Sequence, residues 1–268
     1  MSHRPSLRLF AALAAVLLLV CVFRTPFPGG AGDIQITAHR GCSVWYPENT
    51  MAAFRAAADL GADCIELDVQ QTRDRIFIVC HDQTLSRTAG TDRTVSSMSY
   101  ADIAALDAGS WFSGQFQGEP IPTLESVLQF AKNRPLTLNI ELKSADASGE
   151  TEADLAALIR RYGMEDQCLV AAQDYRVLIR LKECAPELRT LYVTWASPRD
   201  PAALDCADEI SVALDSVTAE LVEQVHCCGK RLHIWTVDTA AQIQKAAALH
   251  PDSLITDDPA LARSLLDR

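Results

Sequence analysis

The stretch Cys64-Ile-Glu-Leu-Asp-Val-Gln-Gln-Thr-Arg-Asp-Arg-Ile-Phe-Ile-Val-Cys80 decides the fold of this chain. Two apolar, β-rich runs, Cys64–Gln70 and Ile76–Cys80, are separated by only a few residues around the polar Thr72–Arg75. A crossover between parallel strands needs a dozen or more residues, so these runs are predicted to form an antiparallel hairpin. The second run is therefore a returning strand, outside the series to which the first belongs.

Short apolar runs alternate with helical patterns along most of the remaining chain. After residue 168 the strands begin roughly every 21 residues, a spacing typical of βα units. Without the returning strand, eight strands remain, each followed by a helix. This pattern predicts an α/β fold, a (βα)8 TIM barrel with a β-hairpin and a small insertion after the second barrel strand. The predicted strands are Ile34–Ala38, Cys64–Gln70, Ile76–Cys80, Leu136–Leu142, Cys168–Ala172, Thr190–Thr194, Glu209–Leu214, Leu232–Val237 and Ser253–Thr256.

Helical patterns and one long interruption complete the predicted architecture. Residues from about 84 to 122, which include the helical Tyr100–Leu106, break the βα spacing. An insertion of this size on the catalytic side of a barrel is expected to cover or shape the site. The other predicted helices are Thr50–Leu60, Thr123–Lys132, Glu150–Tyr162, Tyr175–Cys184, Pro201–Cys206, Thr218–Cys228, Thr239–Leu249 and Pro259–Leu266.

The amino terminus is predicted to be a separate segment. Arg4 and Arg8 precede the apolar run Leu9–Phe23, whose length lies between a signal-peptide core and a full membrane span. No clear cleavage site follows, so we expect one hydrophobic helix that anchors the chain in the cell membrane with the barrel on the extracytoplasmic side. Secretion after signal cleavage is the alternative. The expected domains are residues 1–32, the anchor and linker, and residues 33–268, the barrel.

Charge and cysteine content exclude several classes of partner. The 268-residue chain has a formal net charge of −11 and a pI near 5.0, which argues against nucleic acid and against unassisted binding to anionic lipid. No protein partner can be identified. Eight cysteines outside the anchor show no regular disulfide framework and no CxxC pair, so we expect most to be unpaired core residues. They are Cys42, Cys64, Cys80, Cys168, Cys184, Cys206, Cys227 and Cys228.

Three carboxylates stand near the ends of predicted strands. Glu66 and Asp68 are two residues apart, so both side chains point to the same face of their strand. Glu141 lies at the carboxyl end of another apolar strand. Buried side by side, such groups repel unless a cation neutralises them, and oxygen ligands favour Ca²⁺ or Mg²⁺. The alternative is an exposed edge strand with solvated acids, which the apolar neighbours disfavour.

Two histidines have positions that suit proton transfer. His39 closes the first strand and His81 ends the returning strand. A hairpin turn centred between Arg73 and Asp74 would place His81 across from Glu66, and a register shifted by one or two residues would still bring His81 to the level of the carboxylates. The two histidines would then serve as general acid and general base beside the carboxylates.

Basic side chains next to these groups suit phosphate. Arg40 follows His39 and can hold two non-bridging phosphate oxygens, whereas Lys143 can add a point charge. The remaining histidines lack such neighbours and are expected to be surface or structural residues: His3, His226, His233 and His250.

Eight short motifs, in order from about Ile34 to Arg268, resemble those of the glycerophosphodiester phosphodiesterases. The resemblance implies a TIM barrel that hydrolyses glycerophosphodiesters to glycerol 3-phosphate and an alcohol, with one divalent cation, Ca²⁺ or Mg²⁺. It implies metal ligation by Glu66, Asp68 and Glu141, acid–base catalysis by His39 and His81, phosphate contacts from Arg40 and Lys143, and a pocket lined by Trp235. The motifs are His39-Arg40-Gly41, Pro47-Glu48-Asn49-Thr50, Glu66-Leu67-Asp68-Val69-Gln70, His81-Asp82-x-x-Leu85-x-Arg87-Thr88, Ile121-Pro122-Thr123-Leu124-Glu125, Ile140-Glu141-Leu142-Lys143, Trp235-Thr236-Val237 and Ile255-Thr256-Asp257.

Two rival functions remain open at this level. A lysophospholipase D acting on lysophospholipids would suit a domain anchored near lipid, and the aromatic insertion could admit an acyl chain. A barrel that only binds ligands is the rival from another class, although it has no need of two proton carriers. One departure from the family pattern concerns the pocket rim, because Asp238 stands where the family commonly has asparagine.

Overall fold

The computed structural model describes residues 34–143 and 148–266, which contain a closed barrel of eight parallel strands. In chain order the strands are β1 (Gln35–Ala38), β2 (Cys64–Gln71), β3 (Phe77–Val79), β4 (Thr84–Leu85), β5 (Thr91–Thr94), β6 (Thr137–Leu142), β7 (Cys168–Ala172), β8 (Arg189–Thr194), β9 (Glu209–Ala213), β10 (Arg231–Trp235) and β11 (Ser253–Thr256). β1 pairs with both β2 and β11, and this double pairing closes the barrel of β1, β2 and β6 to β11. The predicted (βα)8 barrel is confirmed.

Most outer helices begin at a capping side chain. The capping side chain accepts a hydrogen bond from a backbone N–H in the first turn, a donor that has no partner within the helix. The capping residues are Thr50, Thr123, Asp174, Thr218 and Thr239. The helices around the barrel are Met51–Asp59, Leu124–Ala131, Glu150–Tyr162, Tyr175–Cys184, Ala219–Cys227, Ala240–Ala247 and Pro259–Leu266.

One predicted helix, Pro201–Cys206, is wrong. The chain there makes only a 3₁₀ turn, Pro201–Ala203, and leaves helical geometry at Leu204. The carbonyl groups of Leu204 and Ala207 accept hydrogen bonds from Lys230 Nζ at 3.0 and 2.6 Å. Lys230 thus takes the place of the backbone N–H groups that would bind these carbonyls if the chain continued as a helix. The connection from β8 to β9 therefore has no α-helix.

The two faces of the barrel wall differ in chemistry. Outward residues such as Ile65, Leu67 and Ile140 are fully buried against the helices. The inward face carries a small apolar cluster of Leu169, Ala171, Leu191 and Val193, against which Trp235 packs. Polar and charged side chains occupy the interior on either side of that cluster, so the barrel presents two separate polar ends.

The hairpin forms as predicted, but its register differs by one residue. Gln70 pairs with Ile78, and the backbone N–H of Cys80 donates to the Asp68 carbonyl oxygen at 2.9 Å. His81 is therefore not paired with Glu66, and the one-residue difference lies within the shift that the sequence left open. The turn has three residues, because Thr72 N–H donates to the Ile76 oxygen and Arg75 adopts a left-handed φ of 64°.

The insertion has its own small core and packs against the hairpin. β4 and β5 form a two-stranded sheet that the sequence did not predict, with the helix Ser86–Ala89 between them. The predicted helix from Tyr100 ends at Ile103. Buried residues of the insertion contact Ile78 and Cys80 of the returning strand: Leu85, Val95, Met98, Ile103, Ala108 and Ile121.

All eight cysteines outside the predicted anchor are free. The prediction of unpaired cysteines is thus confirmed. Only half of them belong to the core, since Cys42, Cys64, Cys80 and Cys168 are buried while the others are partly or fully exposed.

The predicted anchor, residues 1–32, lies outside the described residues. The division of the chain at residue 32 therefore stays a prediction. Within residues 34–143 and 148–266, no helix has the length and apolar character that a membrane crossing requires.

Candidate active site

One edge of β2 brings the two predicted catalytic histidines to the same level. β1 pairs with this edge at Cys64 and Ile65, and β3 pairs with it from Val69 to Gln71, while β6 occupies the other edge. β1 runs parallel to β2 and β3 runs antiparallel, so their carboxyl ends approach each other from opposite directions. His39 follows β1 and His81 follows β3, and both therefore lie beside the segment that carries Glu66 and Asp68.

A tight turn after β1 holds Arg40 against these acids. Arg40 and Gly41 have left-handed φ angles of 55° and 84°, and the Arg40 N–H donates to Glu66 Oε2 at 2.9 Å. A Cβ atom at Gly41 would lie 2.7 Å from the Ala53 backbone carbon. Only glycine fits at position 41, because the helix that starts at Met51 packs directly against the turn. This close packing holds Arg40 beside the strand that carries Glu66 and Asp68.

Glu66, Asp68 and Glu141 meet at the carboxyl ends of β2 and β6. Asp68 and Glu141 are register partners, and one oxygen from each of the three carboxylates lies within 4.8 Å of the others. Arg40 Nε lies 3.2 Å from Asp68 Oδ2, and Lys143 Nζ lies 2.8 Å from Glu141 Oε1. Three carboxylates thus face two cationic side chains in a place with little solvent.

The pKa values reflect this excess of negative charge. Burial, with the charges of Asp68 and Glu141, raises the pKa of Glu66. Burial opposes ionisation of Asp68 too, but Arg40 and Lys143 outweigh it and lower the pKa of that carboxyl. Buried carboxylates whose pKa values separate in this way hold a proton between them or require a further cation.

The donor set fits a hard divalent cation. Two oxygens bound to one Ca²⁺ at 2.3–2.6 Å lie no more than about 5 Å apart, and the spacing of the three carboxylates satisfies this limit. The buried Oδ1 of Asn139, a register partner of Glu66, has no hydrogen-bond partner among the described residues. Carboxylate and amide oxygens without thiolate ligands favour Ca²⁺ or Mg²⁺ over zinc or copper.

His39 is oriented by Asp257. Its Nδ1 lies 2.6 Å from Asp257 Oδ1, which also accepts from Ser43 Oγ at 2.9 Å. Burial opposes the charged imidazole, but the hydrogen bond to Asp257 and the charge of Glu66 prevail, so the pKa of His39 is raised. Asp238 accepts from the Asp257 N–H at 2.8 Å, so it supports the partner of His39 from behind.

His81 has a similar carboxylate partner in a more open place. Its Nδ1 lies 2.7 Å from Asp82 Oδ1, and the side chains of both residues are 32% exposed. Arg87 Nε donates to the other Asp82 oxygen at 2.8 Å. In both histidines Nδ1 is bound to an aspartate, which leaves Nε2 as the ring atom for proton exchange.

These groups border a cavity of about 310 Å³ at the barrel mouth. Of the predicted site residues, only Asp68 is absent from its lining, because that side chain is fully buried behind the others. Trp235 and the exposed Trp195 form an aromatic wall with ring centroids 4.3 Å apart. The lining comprises His39, Arg40, Glu66, His81, Asn139, Glu141, Lys143, Gln173, Val193, Trp195, Ser211, Trp235, Thr236 and Ile255.

Sequence reasoning missed several polar partners in the site. Asn49 donates to Asp68 Oδ2 at 2.8 Å, and Gln173 donates to Glu141 Oε1 at 3.2 Å. Asn49, Asp82 and Asp257 belong to motifs quoted above, which was the available signal, but their contacts depend on loops that meet only in the folded chain. Trp195 and Gln173 had no sequence signal.

This chain is similar in sequence to known proteins of one family. The model of the glycerophosphoryl diester phosphodiesterase family matches residues 39–261. A glycerophosphodiester phosphodiesterase of Caldanaerobacter subterraneus subsp. tengcongensis is 36% identical over 228 residues, which cover 84% of this chain and 94% of that protein.

Solved structures have the same architecture. A glycerophosphodiester phosphodiesterase from Agrobacterium tumefaciens superposes with a TM-score of 0.78 at 30% identity, covering 86% of this chain and 99% of that one. An Oleispira antarctica phosphodiesterase, solved in complex with its product sn-glycerol-3-phosphate, gives a TM-score of 0.82 at 28% identity, with coverage of 87% and 97%.

Proposed function

This chain belongs to the glycerophosphoryl diester phosphodiesterase family and is a glycerophosphodiester phosphodiesterase, and we propose that it works by metal-dependent general acid–base catalysis. In this proposal glycerophosphodiesters yield sn-glycerol 3-phosphate and an alcohol. One observation carries it: three carboxylates lie within 4.8 Å of one another at a cavity that two aspartate-bound histidines border. The sn-glycerol-3-phosphate complex of the Oleispira antarctica relative supports the same product here.

Glu66, Asp68 and Glu141 are proposed to hold one divalent cation, Ca²⁺ or Mg²⁺. The raised pKa of Glu66 and the unpartnered Asn139 oxygen support a cation at this point. When bound, the cation supplies positive charge that lowers the pKa of a coordinated hydroxyl and offsets negative charge developing on the phosphate.

His39 and His81 are proposed to move protons through their Nε2 atoms. One takes a proton from the attacking hydroxyl, while the other gives a proton to the departing alcohol oxygen. Asp257 and Asp82 bind the rings at Nδ1, which leaves Nε2 of each ring for proton exchange. Exchange of the two roles in the second half of the reaction returns both histidines to their starting states.

Arg40 and Lys143 are proposed to bind the phosphate. Both line the cavity. Burial opposes their charge, but the neighbouring carboxylates outweigh it and raise the pKa of each, so both side chains stay charged. The guanidinium can bind two non-bridging oxygens at once, whereas the ammonium contributes a single charge. Trp235 is proposed to line the substrate pocket.

The attacking group is proposed to be the glycerol 2-hydroxyl, which gives a cyclic phosphate that water then opens. Direct attack by water is the alternative. A substrate analogue with propane-1,3-diol in place of glycerol lacks the 2-hydroxyl and separates the two routes. We expect no hydrolysis of this analogue, and its hydrolysis at the glycerol-substrate rate would establish direct attack.

A panel of phosphodiesters, assayed with chelator and with added Ca²⁺ or Mg²⁺, tests the proposed function. We expect hydrolysis of glycerophosphocholine that chelator abolishes and a divalent cation restores. The His39→Ala and His81→Ala variants are expected to lose about 10²- to 10⁴-fold in turnover. Full activity in chelator would contradict the metal role, and wild-type turnover in either variant would exclude that histidine from the scheme.

Lysophospholipids are the alternative substrate class. The aromatic wall of Trp195, whose side chain is 66% exposed, and Trp235 offers an apolar surface at the mouth. Rates of hydrolysis of glycerophosphocholine and lysophosphatidylcholine distinguish a glycerophosphodiester phosphodiesterase from a lysophospholipase D. Hydrolysis of the lipid without hydrolysis of the short diester would establish a lysophospholipase D.

We propose that the barrel acts on the extracytoplasmic side of the cell membrane, held by residues 1–32. The apolar run Leu9–Phe23 behind two arginines supports this location. Mass spectrometry of the membrane and secreted fractions tests it. An intact chain confined to the membrane fraction is expected, whereas a shortened chain in the medium would establish secretion.

A further inference from the structure

A continuous series of ion pairs joins Arg40 to His81 behind the cavity wall. Arg40 Nη1 donates to Glu48 Oε1 at 2.9 Å. The same carboxylate accepts from both Nη atoms of Arg87, at 2.7 and 2.8 Å. Arg87 Nε donates to Asp82 Oδ2 at 2.8 Å, and Asp82 Oδ1 lies 2.7 Å from His81 Nδ1. Every link is within hydrogen-bond distance, so a displacement of one member disturbs the next.

We infer that Glu48 and Arg87 are positioning residues that hold the phosphate-binding Arg40 and the proton-carrying His81 in one fixed relation. The inference rests on the proposed function, in which Arg40 and His81 contact the same phosphate. Among the described residues that line the cavity, Arg40 and His81 are present and Glu48 and Arg87 are not. Glu48 and Arg87 therefore act through their neighbours.

Burial and geometry make these links specific. The Glu48 side chain is only 13% exposed. Burial opposes its ionisation, but the hydrogen bond from Arg87 and the charge of Arg40 outweigh it and lower the pKa of the carboxyl. Arg87 binds Glu48 with one edge of its planar guanidinium and Asp82 with Nε. A lysine ammonium has no planar fork and cannot reproduce this double contact.

The insertion supplies and supports the central arginine. Arg87 lies in the helix Ser86–Ala89, and the Trp111 ring stands 5.5 Å from the carbon of its guanidinium. Trp111 is itself held by a hydrogen bond from Nε1 to the Ala108 oxygen at 2.8 Å. The insertion therefore supports His81 from behind and in this way helps to shape the site.

The test compares kcat and KM of the full chain, with divalent cation present, for Glu48→Gln and Arg87→Gln. Each is expected to lower kcat/KM by about 10- to 100-fold, as loss of a supporting contact behind a functional group commonly does. Glu48→Gln is expected to raise KM and the inhibition constant of inorganic phosphate as well as lowering kcat, because it contacts Arg40 directly. Arg87→Gln is expected to act mainly on kcat, through Asp82 and His81.

Arg160→Gln is the matched control. Arg160 has the same side-chain exposure as Arg87, 42%, and pairs with Glu187 on the outside of the barrel. We expect its kcat and KM to equal those of the wild type. Thermal unfolding of every variant identifies any that do not fold, and Arg87→Lys, which keeps the charge, is expected to fold and to recover only part of the lost kcat.

A double variant tests whether the series acts as one unit. Glu48→Gln combined with Arg87→Gln is expected to lose little more than the worse single variant, because contacting residues are not additive. Additive losses, or single variants that match Arg160→Gln, would overturn the inference. Failure of the proposed function has a different signature: a wild-type protein inert on all diesters, or a His81→Ala variant with full turnover.

Discussion

Two clusters of buried charged side chains occupy opposite ends of the barrel interior. At the amino ends of the strands, Glu209 accepts from His233 Nε2 at 2.5 Å, with Arg189 and Arg231 at 3.6 and 3.9 Å. We call this the base cluster. At the mouth, Glu66, Asp68 and Glu141 face Arg40 and Lys143. We call this the mouth cluster, and only it borders the cavity.

The two clusters differ in how their charges balance. In the base cluster one carboxylate is surrounded by donors, which overcome burial and lower the pKa of Glu209. In the mouth cluster carboxylates outnumber cations, and the pKa of Glu66 is raised. Removing one partner of a balanced buried group leaves uncompensated charge and destabilises the fold, whereas an unbalanced group has capacity for a ligand. Buried charged side chains alone therefore do not identify an active site. An excess of buried carboxylates over cationic side chains beside a cavity is what indicates one.

The largest expected difference between the clusters is in catalysis. His81→Ala at the mouth is expected to lower kcat by about 10²- to 10⁴-fold, since it removes a proton carrier. His233→Gln in the base cluster keeps a donor for Glu209 and is expected to leave kcat unchanged. Steady-state rates on glycerophosphocholine check both. A comparable loss in the two variants would show that the base cluster contributes to the reaction.

Stability is expected to respond in the opposite way. Glu209→Gln removes the buried carboxylate that faces His233 and two partly buried arginines, and it is expected to lower the free energy of unfolding by about 3–5 kcal/mol. Glu66→Gln removes an excess negative charge, so in chelator it is expected to raise that free energy. Urea unfolding of the two variants and the wild type measures the change. Equal losses would contradict the difference in charge balance.

Cation binding is expected to distinguish the clusters by a smaller amount. At a Ca²⁺ or Mg²⁺ concentration of about 100 times Kd, the wild type is expected to gain about 2.7 kcal/mol in unfolding free energy. Glu66→Gln is expected to lose most of this gain, and Glu209→Gln to keep it in full. Thermal unfolding with and without the cation measures the gain, and a gain that survives Glu66→Gln would place the cation elsewhere.

The two clusters are also expected to differ in the sign of the pH dependence of stability in chelator. The raised pKa of Glu66 stabilises the fold below about pH 4.3, the unfolded value, and this contribution is lost as the pH rises through the folded value. The lowered pKa of Glu209 stabilises the fold above the unfolded value and is lost as the pH falls through the folded one. Each pKa unit contributes about 1.4 kcal/mol.

Urea unfolding at several pH values, with Glu66→Gln and Glu209→Gln as references, checks these signs. Relative to Glu66→Gln, the wild type is expected to lose stability with rising pH. Relative to Glu209→Gln, it is expected to lose stability with falling pH. Slopes of the same sign would contradict the assignment of one pKa as raised and the other as lowered.

The hairpin shows where prediction from the sequence reached its limit. The short polar link between two apolar runs was enough to predict antiparallel pairing, because no crossover fits in it. The register differs from the predicted one by one residue, because Arg75 takes a left-handed φ at a position where the sequence has no glycine. Cys80 therefore lies opposite Asp68, where the predicted register placed Val79.

In the candidate site, too, some features could be predicted from the sequence and others could not. Strand ends and residue types were enough to nominate Glu66, Asp68, Glu141, His39 and His81, because βα rhythm brings all carboxyl ends to one rim. The contact of His39 with Asp257 and the ion pair of Glu48 with Arg87 were not predictable. They join loops far apart in the chain, and no local pattern encodes such distances.

The sequence by itself determined the barrel, the polar residues at its mouth and the family to which they belong, because strand length, alternation and motif order are local properties. The tertiary structure alone decided how those residues are balanced: three acids against two cations at the mouth, one acid among donors at the base. The physical reason is that charge balance depends on distances and burial, and both arise only when remote strands and loops close the barrel.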